Sequence, residues 1–239
     1  MRRLPREQRE ADILAAARDV FRAHGYEQAS ISEIAERAGV VEGSIYRYFT
    51  NKRDLLAKVI QGWYGGMLAE EEKMLPGIQG TRARLRHTIW HHLKSISEEP
   101  GLSRLVFAEF RPDPDYRSTE IFEMNRRYTR RVTDIVTKAV AAGEFREDVT
   151  PALVRDLVFG GIEHHTWAFL RGSGRIEIEA TADMLADLIY RGLAAPASED
   201  VDRDRLDSAV ARLDAVAARL AKTAPKAAAR HSRARRKAR

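Results

Sequence analysis

Amphipathic helical periodicity, interrupted by glycine or proline at short intervals, runs through most of this chain. In residues 7–24, Ile13, Ala17 and Val20 share one apolar stripe, and Gly25 is a natural end for the helix. The same reasoning predicts helices over 7–24, 31–38, 42–48, 52–75, 81–98, 102–110, 116–142, 151–171 and 179–194. The alternating segment 175–179 has no second strand to pair with, so we predict an all-α fold.

Three capping patterns support the predicted helix starts. Ser30 stands three residues before Glu33, and Asn51 stands three before Asp54, as in a capping box. The pair Thr150–Pro151 combines an N-cap residue with proline at the first helical position. The capping side chains accept hydrogen bonds from backbone N–H groups that have no partner at a helix start. Proline at the first helical position has no such N–H group.

Composition excludes several classes of protein. The 239 residues include no cysteine, which excludes disulfides, thiolate metal sites and cysteine nucleophiles. No apolar run approaches the ~18 residues of a membrane span. The basic start at residues 1–6 lacks the apolar stretch of a secretory signal. We therefore expect a cytoplasmic protein that does not act at a membrane.

The net charge of +6 is concentrated at the C-terminus. Residues 222–239 contain eight basic and no acidic side chains, whereas the rest of the chain has 33 basic and 35 acidic residues. The total is therefore no evidence for a basic DNA-binding face elsewhere. Beyond Pro225 the chain lacks core-forming residues, and we predict a disordered basic tail.

Residues 201–221 have a pattern of their own. Apolar side chains recur at spacings of four and three, at Leu206, Val210, Leu213, Ala217 and Leu220. This pattern fits an amphipathic helix docked on its own domain, or a two-heptad coiled-coil seam. Two heptads fall short of the three or four that favour a coiled coil.

Two short predicted helices, 31–38 and 42–48, flank a tight turn at residues 39–41. This is the spacing of a helix-turn-helix. Gly39 can take the strained turn conformation without a Cβ clash. Gly43 and Ser44 give the second helix small residues where it would approach base edges.

The stretch from Ser30 to Leu56 resembles the DNA-binding region of the tetracycline-repressor (TetR) family of bacterial transcription regulators. The matching positions are Ile34, Ala35, Ala38, Gly39, Val40, Gly43, Tyr46, Tyr48, Phe49, Lys52 and Leu55. The resemblance covers roughly residues 8–60, and the remaining chain shares only the family's size and helical pattern. It implies a three-helix DNA-binding head followed by a helical domain for ligand binding and dimerisation.

The resemblance also implies roles for particular residues. Base edges would be faced by Ser32, Glu42, Gly43, Ser44, Tyr46 and Arg47, and phosphates would be held by Ser30, Tyr48, Thr50 and Lys52. Arg47 can bridge guanine O6 and N7, and Glu42 can accept from cytosine N4. The sequence departs from the family pattern at Val41, where Ser or Thr often caps the recognition helix. Losing such a cap costs about 0.5–2 kcal/mol.

The competing interpretation of residues 30–56 is a packed helical hairpin with no DNA contact. Residues 1–60 carry 11 basic and 9 acidic residues, a balance that this alternative tolerates. However, four arginines suited to phosphates or a minor groove precede or begin the first helix, at Arg2, Arg3, Arg6 and Arg9.

The resemblance places a homodimer interface on helices 151–171 and 179–194. Helix 151–171 presents a face with small residues, formed by Leu153, Leu157, Gly160, Gly161, His164 and Ala168. Helix 179–194 presents Met184, Leu185, Leu188, Ile189 and Leu193. The alternative is that these faces pack only internally.

A small-molecule site is expected between the middle helices, because aromatic and polar side chains are concentrated there. The candidate ligand-binding residues are Trp90, His91, Phe107, Phe110, Phe122, Asn125, Tyr128, His165 and Trp167. For each aromatic, plain core packing is the alternative. The segment 160–164 faintly resembles TetR members that control fatty-acid metabolism, which makes an acyl-coenzyme A a candidate ligand.

Glycines at positions 62, 65 and 66 interrupt the predicted helix 52–75, at up to ~1 kcal/mol each relative to alanine. In the family, this helix links the sensor domain to the head. Our hypothesis is that these glycines permit a bend or shift there, and the alternative is close packing against an aromatic neighbour.

His87 and His91, one helical turn apart, could share a metal, and Glu109 or Glu163 nearby would be needed for a metal-dependent hydrolase. No His-Glu-x-x-His motif, glycine-rich phosphate loop or serine nucleophile motif is present. We therefore expect no enzyme activity, no catalytic residue, no metal and no cofactor.

The sequence as a whole predicts a homodimeric repressor that a small ligand releases from a pseudo-palindromic DNA operator. We divide the chain into a head (1–56), a sensor domain (57–196), an extra amphipathic helix (197–221) and a basic tail (222–239). The alternative is a ligand-independent DNA-binding protein that uses the helix-turn-helix and the tail.

Overall fold

The computed structural model describes residues 5–196 and 208–216, and it confirms the all-α fold. Within these ranges no strand is formed, and residues 175–179 lead into a helix. The helices are α1 (Arg6–Gln28), α2 (Ile31–Arg37), α3 (Glu42–Ile45), α4 (Lys52–Met74), α5 (Thr81–Glu98), α6 (Pro100–Leu105), α7 (Glu120–Ala141), α8 (Pro151–Leu170) and α9 (Ile178–Leu193).

The head is built on an apolar core shared by α1, α2, α3 and the start of α4. Its fully buried members include Ile13, Phe21, Ile34, Ile45 and Leu55. Burial of each such side chain contributes about 1.5–3 kcal/mol. The short α2 and α3 depend on this core, because helices of one or two turns are not stable alone.

The predicted caps of the head are present. Ser30 Oγ accepts from the Glu33 N–H at 3.1 Å, and Asn51 Oδ1 accepts from the Asp54 N–H at 2.9 Å. Gly39 has φ +63° in the turn between α2 and α3, where a side chain would be strained.

Two boundaries in the head differ from the prediction. The helical run of α1 continues to Gln28, although Gly25 inside it has φ 73° and kinks the chain there. In addition, α3 ends at Ile45 rather than at 48. The N–H groups of Arg47 and Tyr48 bond to the carbonyls three residues earlier, so the last part of the predicted helix is a tightened turn.

The sensor domain surrounds a second apolar core. Helix α5 packs against α9, and α7 packs against α8 and α4. Because α4 also packs against α1, one continuous helix joins the DNA-binding head to the sensor domain.

Two further predicted helices differ from the structure. The expected helix 102–110 begins earlier, at Pro100, which suits the first position of a helix. Its second half, Val106–Phe110, is a π-helical turn in which the Arg111 N–H bonds to the Val106 carbonyl at 3.0 Å. The expected helix 116–142 is split, because the Thr119 hydroxyl caps α7 by accepting from the Phe122 N–H at 3.2 Å.

Thr150 occupies the N-cap position of α8, with Pro151 behind it, but its side chain makes no capping hydrogen bond. Residues 208–216 form a separate helix with Val210, Leu213 and Val216 exposed. The remainder of the predicted segment 201–221 and the tail 222–239 lie outside the described residues. None of the described helices combines the length and apolar character needed to cross a bilayer.

Candidate functional site

Helix α3 presents one face to solvent and buries the other. Ile45 is 1 % exposed and anchors the helix to the head, whereas Glu42, Gly43 and Arg47 are exposed and Tyr46 is 51 % exposed. An exposed face with a guanidinium, a phenol and a carboxylate can read the donor and acceptor pattern of a major groove.

Two further candidate base contacts and the departure from the family pattern at Val41 lie around this face. Ser32 is exposed on α2, and Ser44 is half-buried on α3. Val41 is the N-cap of α3 and offers no side-chain hydrogen bond, while its side chain is 75 % exposed. The uncapped start of α3 leaves backbone N–H groups available at the same surface.

The candidate phosphate contacts differ in the hydrogen bonds that they already make within the head. Lys52 Nζ donates to the carbonyls of Tyr26 at 2.8 Å and Ala29 at 3.1 Å, and thereby satisfies the carbonyls at the end of α1. Thr50 bonds to Asp54 through both its N–H and its hydroxyl. Lys52 therefore has a structural role that the sequence reasoning missed, because Lys52 begins α4 and reaches the end of α1 only in the folded chain.

Tyr48 and Ser30 complete the phosphate candidates. The Tyr48 ring is half-buried, and the guanidinium of Arg6 lies 5.7 Å from its centroid. Ser30 is exposed, but its hydroxyl oxygen already caps α2. This arrangement places Arg6, at the start of α1, beside the candidate DNA surface.

Arg53, the second residue of α4, ties the head to the π-helical turn. Its guanidinium donates to the Glu109 carbonyl at 2.8 Å, pairs with Asp113 and lies 5.2 Å from the Phe110 ring centroid. The position of this turn is therefore coupled to the start of α4.

A second junction joins α1 to α6. Glu99, which is 8 % exposed, pairs with Arg18 and with Arg22 Nε at 3.0 Å. A Cβ added at Gly101 would lie 3.1 Å from the Cα and carbonyl oxygen of Arg22. Glycine is needed here for close helix approach, whereas the sequence suggested only a helix break.

The glycines of α4 do not show comparable packing. A Cβ added at Gly62 or Gly66 would meet nothing within 4 Å, and at Gly65 it would meet only Met124 at 3.9 Å. The alternative of close aromatic packing is therefore wrong, and α4 runs through these positions without a break. The hinge hypothesis remains a prediction.

The sensor domain contains a small enclosed cavity of about 30 Å³ among α4–α8. A cavity needs about 10–15 Å³ of such space to hold one water molecule, so this one has room for about two. The lining residues are Trp63, Tyr64, His92, Ile96, Ser103, Val106, Phe107, Arg111, Asn125, Thr129, Phe159 and Glu163. The cavity is mainly apolar with a few polar groups, as small-molecule sites are.

A wider basic groove of about 520 Å³ opens beside the cavity. Its lining residues are Arg111, Tyr116, Arg117, Phe122, Asn125, Arg126, Thr129, Arg155, Asp156, Phe159, Gly160 and Glu163. Four arginines against two carboxylates make this groove cationic.

The structure brings together three of the nine candidate ligand residues. Phe107 and Asn125 line the cavity, and Phe122 and Asn125 line the groove. Apart from Asn125, the sequence reasoning missed the polar stripes of α7 and α8, where Asn125, Arg126 and Thr129 line the groove together with Arg155 and Glu163.

The other six candidates have separate environments. Trp90 Nε1 donates to Glu179 at 2.6 Å, and Trp167 stacks on Phe107 with ring centroids 6.4 Å apart. Phe110 belongs to the head-side core, and His165 lies 3.5 Å from Thr181 on α9. The remaining two, His91 and Tyr128, bond to each other in the interior at 3.0 Å.

The histidines of α5 are held neutral by their surroundings. Burial, together with the nearby His91 and Arg111, lowers the pKa of His92 to about 3. Burial also lowers the pKa values of His87 and His91. His91 uses both ring nitrogens for protein contacts, with Tyr128 and with Glu70 at 3.1 Å. His91 is thus engaged in packing α5 against α4 and α7.

A buried carboxyl group lies close to this histidine cluster. Glu71 is fully buried, and its nearest charge is Arg131, whose Nε lies 3.4 Å from Glu71 Oε2. Burial raises the pKa of Glu71 to about 7, although Arg131 and Thr88 oppose the shift. Glu71 therefore titrates near neutral pH in the folded protein.

Large apolar side chains on the outer faces of α8 and α9 are exposed. The exposed fractions are 57 % for Leu153, 64 % for Leu157, 67 % for Met184 and 65 % for Leu188. Clustered exposed apolar side chains of this size are typical of an interaction surface. These four residues belong to the faces that the sequence assigned to a dimer interface.

Comparison with protein families identifies both parts of the chain. Residues 13–59 match the model described as bacterial regulatory proteins of the TetR family. Residues 79–193 match the tetracyclin repressor-like C-terminal domain. Together the two matches cover most of residues 13–193 and agree with the resemblance found in the sequence.

Similar proteins have been described in several bacteria. The fatty acid metabolism regulator protein of Bacillus subtilis is 25% identical over 181 residues, which cover 76% of this chain and 93% of the relative. The transcriptional repressor KstR2 of Rhodococcus jostii is 20% identical over 192 residues, which cover 79% and 92%.

A solved structure shows the same fold. The crystal structure of the regulator FadR from Bacillus subtilis, in complex with stearoyl-CoA, superposes with a TM-score of 0.68 at 26% identity and covers 77% of this chain and 98% of that one. The helix-turn-helix geometry, the two family matches and this likeness agree: the chain belongs to the TetR family of bacterial transcription regulators.

Proposed function

We propose that this protein is a homodimeric repressor that a small amphipathic ligand releases from a pseudo-palindromic DNA operator. The observation that carries the proposal is the exposed face of α3, held rigidly by the buried Ile45 in a chain of the TetR family. Arg47 and Tyr46 on that face would read bases, with Ser32, Glu42, Gly43 and Ser44 beside them. Ser30, Tyr48, Thr50 and Lys52 would lie along the phosphates.

Dimerisation is supported by the exposed apolar faces of α8 and α9. Leu157 and Leu188 are each more than 60 % exposed, and covering them in a second copy would stabilise association. A twofold dimer also explains recognition of a palindrome, because two heads then meet half-sites about one helical turn (~34–36 Å) or a multiple apart.

An acyl-coenzyme A fits the chemistry of the sensor domain. The cavity offers apolar walls for an acyl chain, and the adjoining groove offers arginines for phosphates. The FadR structure from Bacillus subtilis contains stearoyl-CoA, which supports the same ligand class here. The ligand site would then be Phe107, Asn125 and Phe122 with the lining residues around them, and Trp90, His91, Phe110, Tyr128, His165 and Trp167 would act indirectly.

Ligand binding would reach the head through the π-helical turn. Val106 and Phe107 line the cavity, while the Glu109 carbonyl and Phe110 contact Arg53 at the start of α4. A cavity of about 30 Å³ must enlarge to admit an acyl chain, so the turn and α4 would shift together. By linkage, the ligand then binds the DNA-free form more tightly.

The experiment is DNA selection with the full chain, followed by release from the selected site. We expect a palindromic sequence, and we expect palmitoyl-CoA at micromolar concentration to weaken operator binding about 5- to 150-fold, since a coupling of 1–3 kcal/mol is typical. Recovery of no preferred sequence would contradict the repressor, and an operator insensitive to palmitoyl-CoA would contradict this ligand class alone.

The alternative, ligand-independent binding through the helix-turn-helix and the basic tail, predicts equal affinity for random DNA. Residues 222–239 carry eight basic residues, so their deletion should lower affinity and flatten its salt dependence. If the repressor proposal holds, the truncated chain keeps its operator preference. A truncated chain that has lost that preference would favour the alternative.

A further inference from the structure

An ion pair stands where the enclosed cavity meets the basic groove. The two hollows share five lining residues: Arg111, Asn125, Thr129, Phe159 and Glu163. Across this junction Arg111 Nη1 donates to Glu163 Oε2 at 2.6 Å. The pair thus lies at the neck between an apolar interior and a cationic surface.

The groove outside the neck is suited to an anion with several charges. Arg117, Arg126 and Arg155 line it together with Arg111. Asp156 is already paired with Arg155 at 2.8 Å, and Arg117 has no ion-pair partner among the described residues. Guanidinium groups bind phosphate oxygens in a bidentate manner, so phosphate is the anion that this set of side chains fits.

Arg111 is the arginine that can contact a ligand in both the cavity and the groove. Its guanidinium lies 4.8 Å from the ring centroid of Phe107, which lines the cavity. Beside it, the hydroxyl of Tyr116 is buried with no hydrogen-bond partner in the described part of the chain. A phosphate at this point would gain the guanidinium and a phenol donor, provided that Glu163 is displaced.

We propose that the Arg111–Glu163 ion pair is a latch, opened when a ligand phosphate replaces the Glu163 carboxylate at Arg111. This inference rests on the proposed function and assigns Glu163 as a residue that determines which ligands bind. The exchange of one anion for another gains little by itself, so a headgroup without an acyl chain cannot open the latch effectively. Burial of the chain in the cavity supplies the remaining free energy.

The latch also lies next to the route to the head. Arg111 directly follows the π-helical turn, whose Phe110 and Glu109 carbonyl contact Arg53. Release of Arg111 from Glu163 therefore allows the C-terminal end of this turn to move, and that end is the part that contacts Arg53 of the head. Only ligands that open the latch would then weaken DNA binding.

The test compares E163Q with D134N by calorimetry, using palmitoyl-CoA, free coenzyme A and the uncharged palmitamide as probes. Both substitutions remove one negative charge, but Asp134 pairs with the exposed Arg130 and lines neither hollow. We expect E163Q to bind palmitoyl-CoA and coenzyme A about tenfold more tightly than the wild type, because no carboxylate competes at Arg111. D134N should change each affinity less than about twofold, since its charge is exposed and screened.

A second pair of variants assigns the effect to Arg111. R111Q should weaken palmitoyl-CoA binding about tenfold but leave palmitamide, which has neither a phosphate nor a charge, nearly unchanged. In the R111Q background, E163Q should give no more gain than D134N, because the carboxylate has lost its partner. Thermal unfolding of each ligand-free variant shows whether it is folded.

Several results would overturn the latch. Equal effects of E163Q and D134N would show that only general electrostatics is at work, and equal loss of palmitamide and palmitoyl-CoA binding in R111Q would exclude a phosphate at Arg111. If E163Q changes nothing while palmitoyl-CoA still releases the operator, the latch fails and the proposed function stands. If palmitoyl-CoA binds neither wild type nor E163Q, the ligand class fails and the latch fails with it.

Discussion

The proposed DNA-binding surface and the proposed ligand cavity are assembled in opposite ways. The first comes from α3 and the turn that follows it, residues 42–47, and is held by one buried side chain, Ile45. The cavity takes its walls from five helices, with Trp63 and Glu163 one hundred positions apart in the chain. The first surface is complete without a ligand, whereas the second is almost closed. A surface built from consecutive residues is suited to rigid contact with DNA. A cavity whose walls come from separate helices can open when those helices move.

The largest effect is expected at the outer face of the sensor domain. Substitution of both Leu157 and Leu188 by Glu places charges at the proposed dimer interface, and sedimentation should show a monomer. Operator affinity should fall about 100-fold or more, because each head then binds a half-site alone. Met74→Glu, which alters an apolar side chain of similar exposure on α4, is the control and should remain dimeric. A double variant that stays dimeric would place the interface elsewhere.

The next effect is expected at α3. Arg47→Ala should lower operator affinity about tenfold to 100-fold without a change in melting temperature, since a bidentate base contact contributes ~1–3 kcal/mol of discrimination. Fluorescence anisotropy at fixed salt measures the affinity. Arg37→Ala is the matched control, because Arg37 is an exposed arginine on α2 engaged with Glu33. Similar losses for both variants would mean that Arg47 contributes only charge.

A smaller effect, on folding rather than on DNA binding, is expected at Lys52. Lys52→Met retains much of the apolar stem but removes the ammonium that bonds to the Tyr26 and Ala29 carbonyls. The free energy of unfolding should fall by about 1.5–3 kcal/mol, as for hydrogen bonds to charged groups. Chemical denaturation measures it, and Lys58→Met, on the exposed side of α4, is the control. Unchanged stability with weaker DNA binding would make Lys52 a phosphate contact alone.

The smallest effect is a pH dependence in the sensor domain. Folded Glu71 has a pKa of about 7, above its usual 4.5, so it holds its proton more tightly than in the unfolded chain. Its contribution to stability is therefore present below pH 4.5 and is lost as the pH rises towards 7. Relative to the wild type, Glu71→Gln should gain about 1–3 kcal/mol between pH 5 and pH 8.

Glu72→Gln provides the control for this pH effect. Glu72 pairs with the same Arg131 but is 57% exposed, so its variant should show no such gain. Denaturation of the three proteins across this pH range measures the difference. A flat difference between Glu71→Gln and wild type would show that Glu71 is ionised in the folded protein throughout the range.

The same contrast explains how far the sequence predicted the molecule. The caps at Ser30 and Asn51 and the turn at Gly39 are local signals, and the structure confirms them. The shortened α3 and the π-helical turn at Val106–Phe110 arise from the packing of other helices around them. The spacing of apolar residues in the sequence contains no information about that packing.

The cavity was harder to predict for the same reason. An aromatic side chain such as Tyr128 or Phe110 follows helical spacing whether it packs in a core or lines a hollow. Pairing of Arg111 with Glu163 joins residues 52 positions apart, and only the packing of the helices brings them together.

The nearly filled cavity has a consequence for how ligand sensitivity can change. If an acyl chain binds there as proposed, a free volume of about 30 Å³ requires the free protein to open first, and the ligand affinity is then lowered in proportion to the fraction of molecules that are open. A substitution that loosens Phe159 or Trp63 would raise that fraction without touching the ligand. The same substitution would release some DNA in the absence of ligand. Sensitivity and basal leakage are thus linked through core packing, and selection can adjust the response threshold without altering the operator or the ligand contacts.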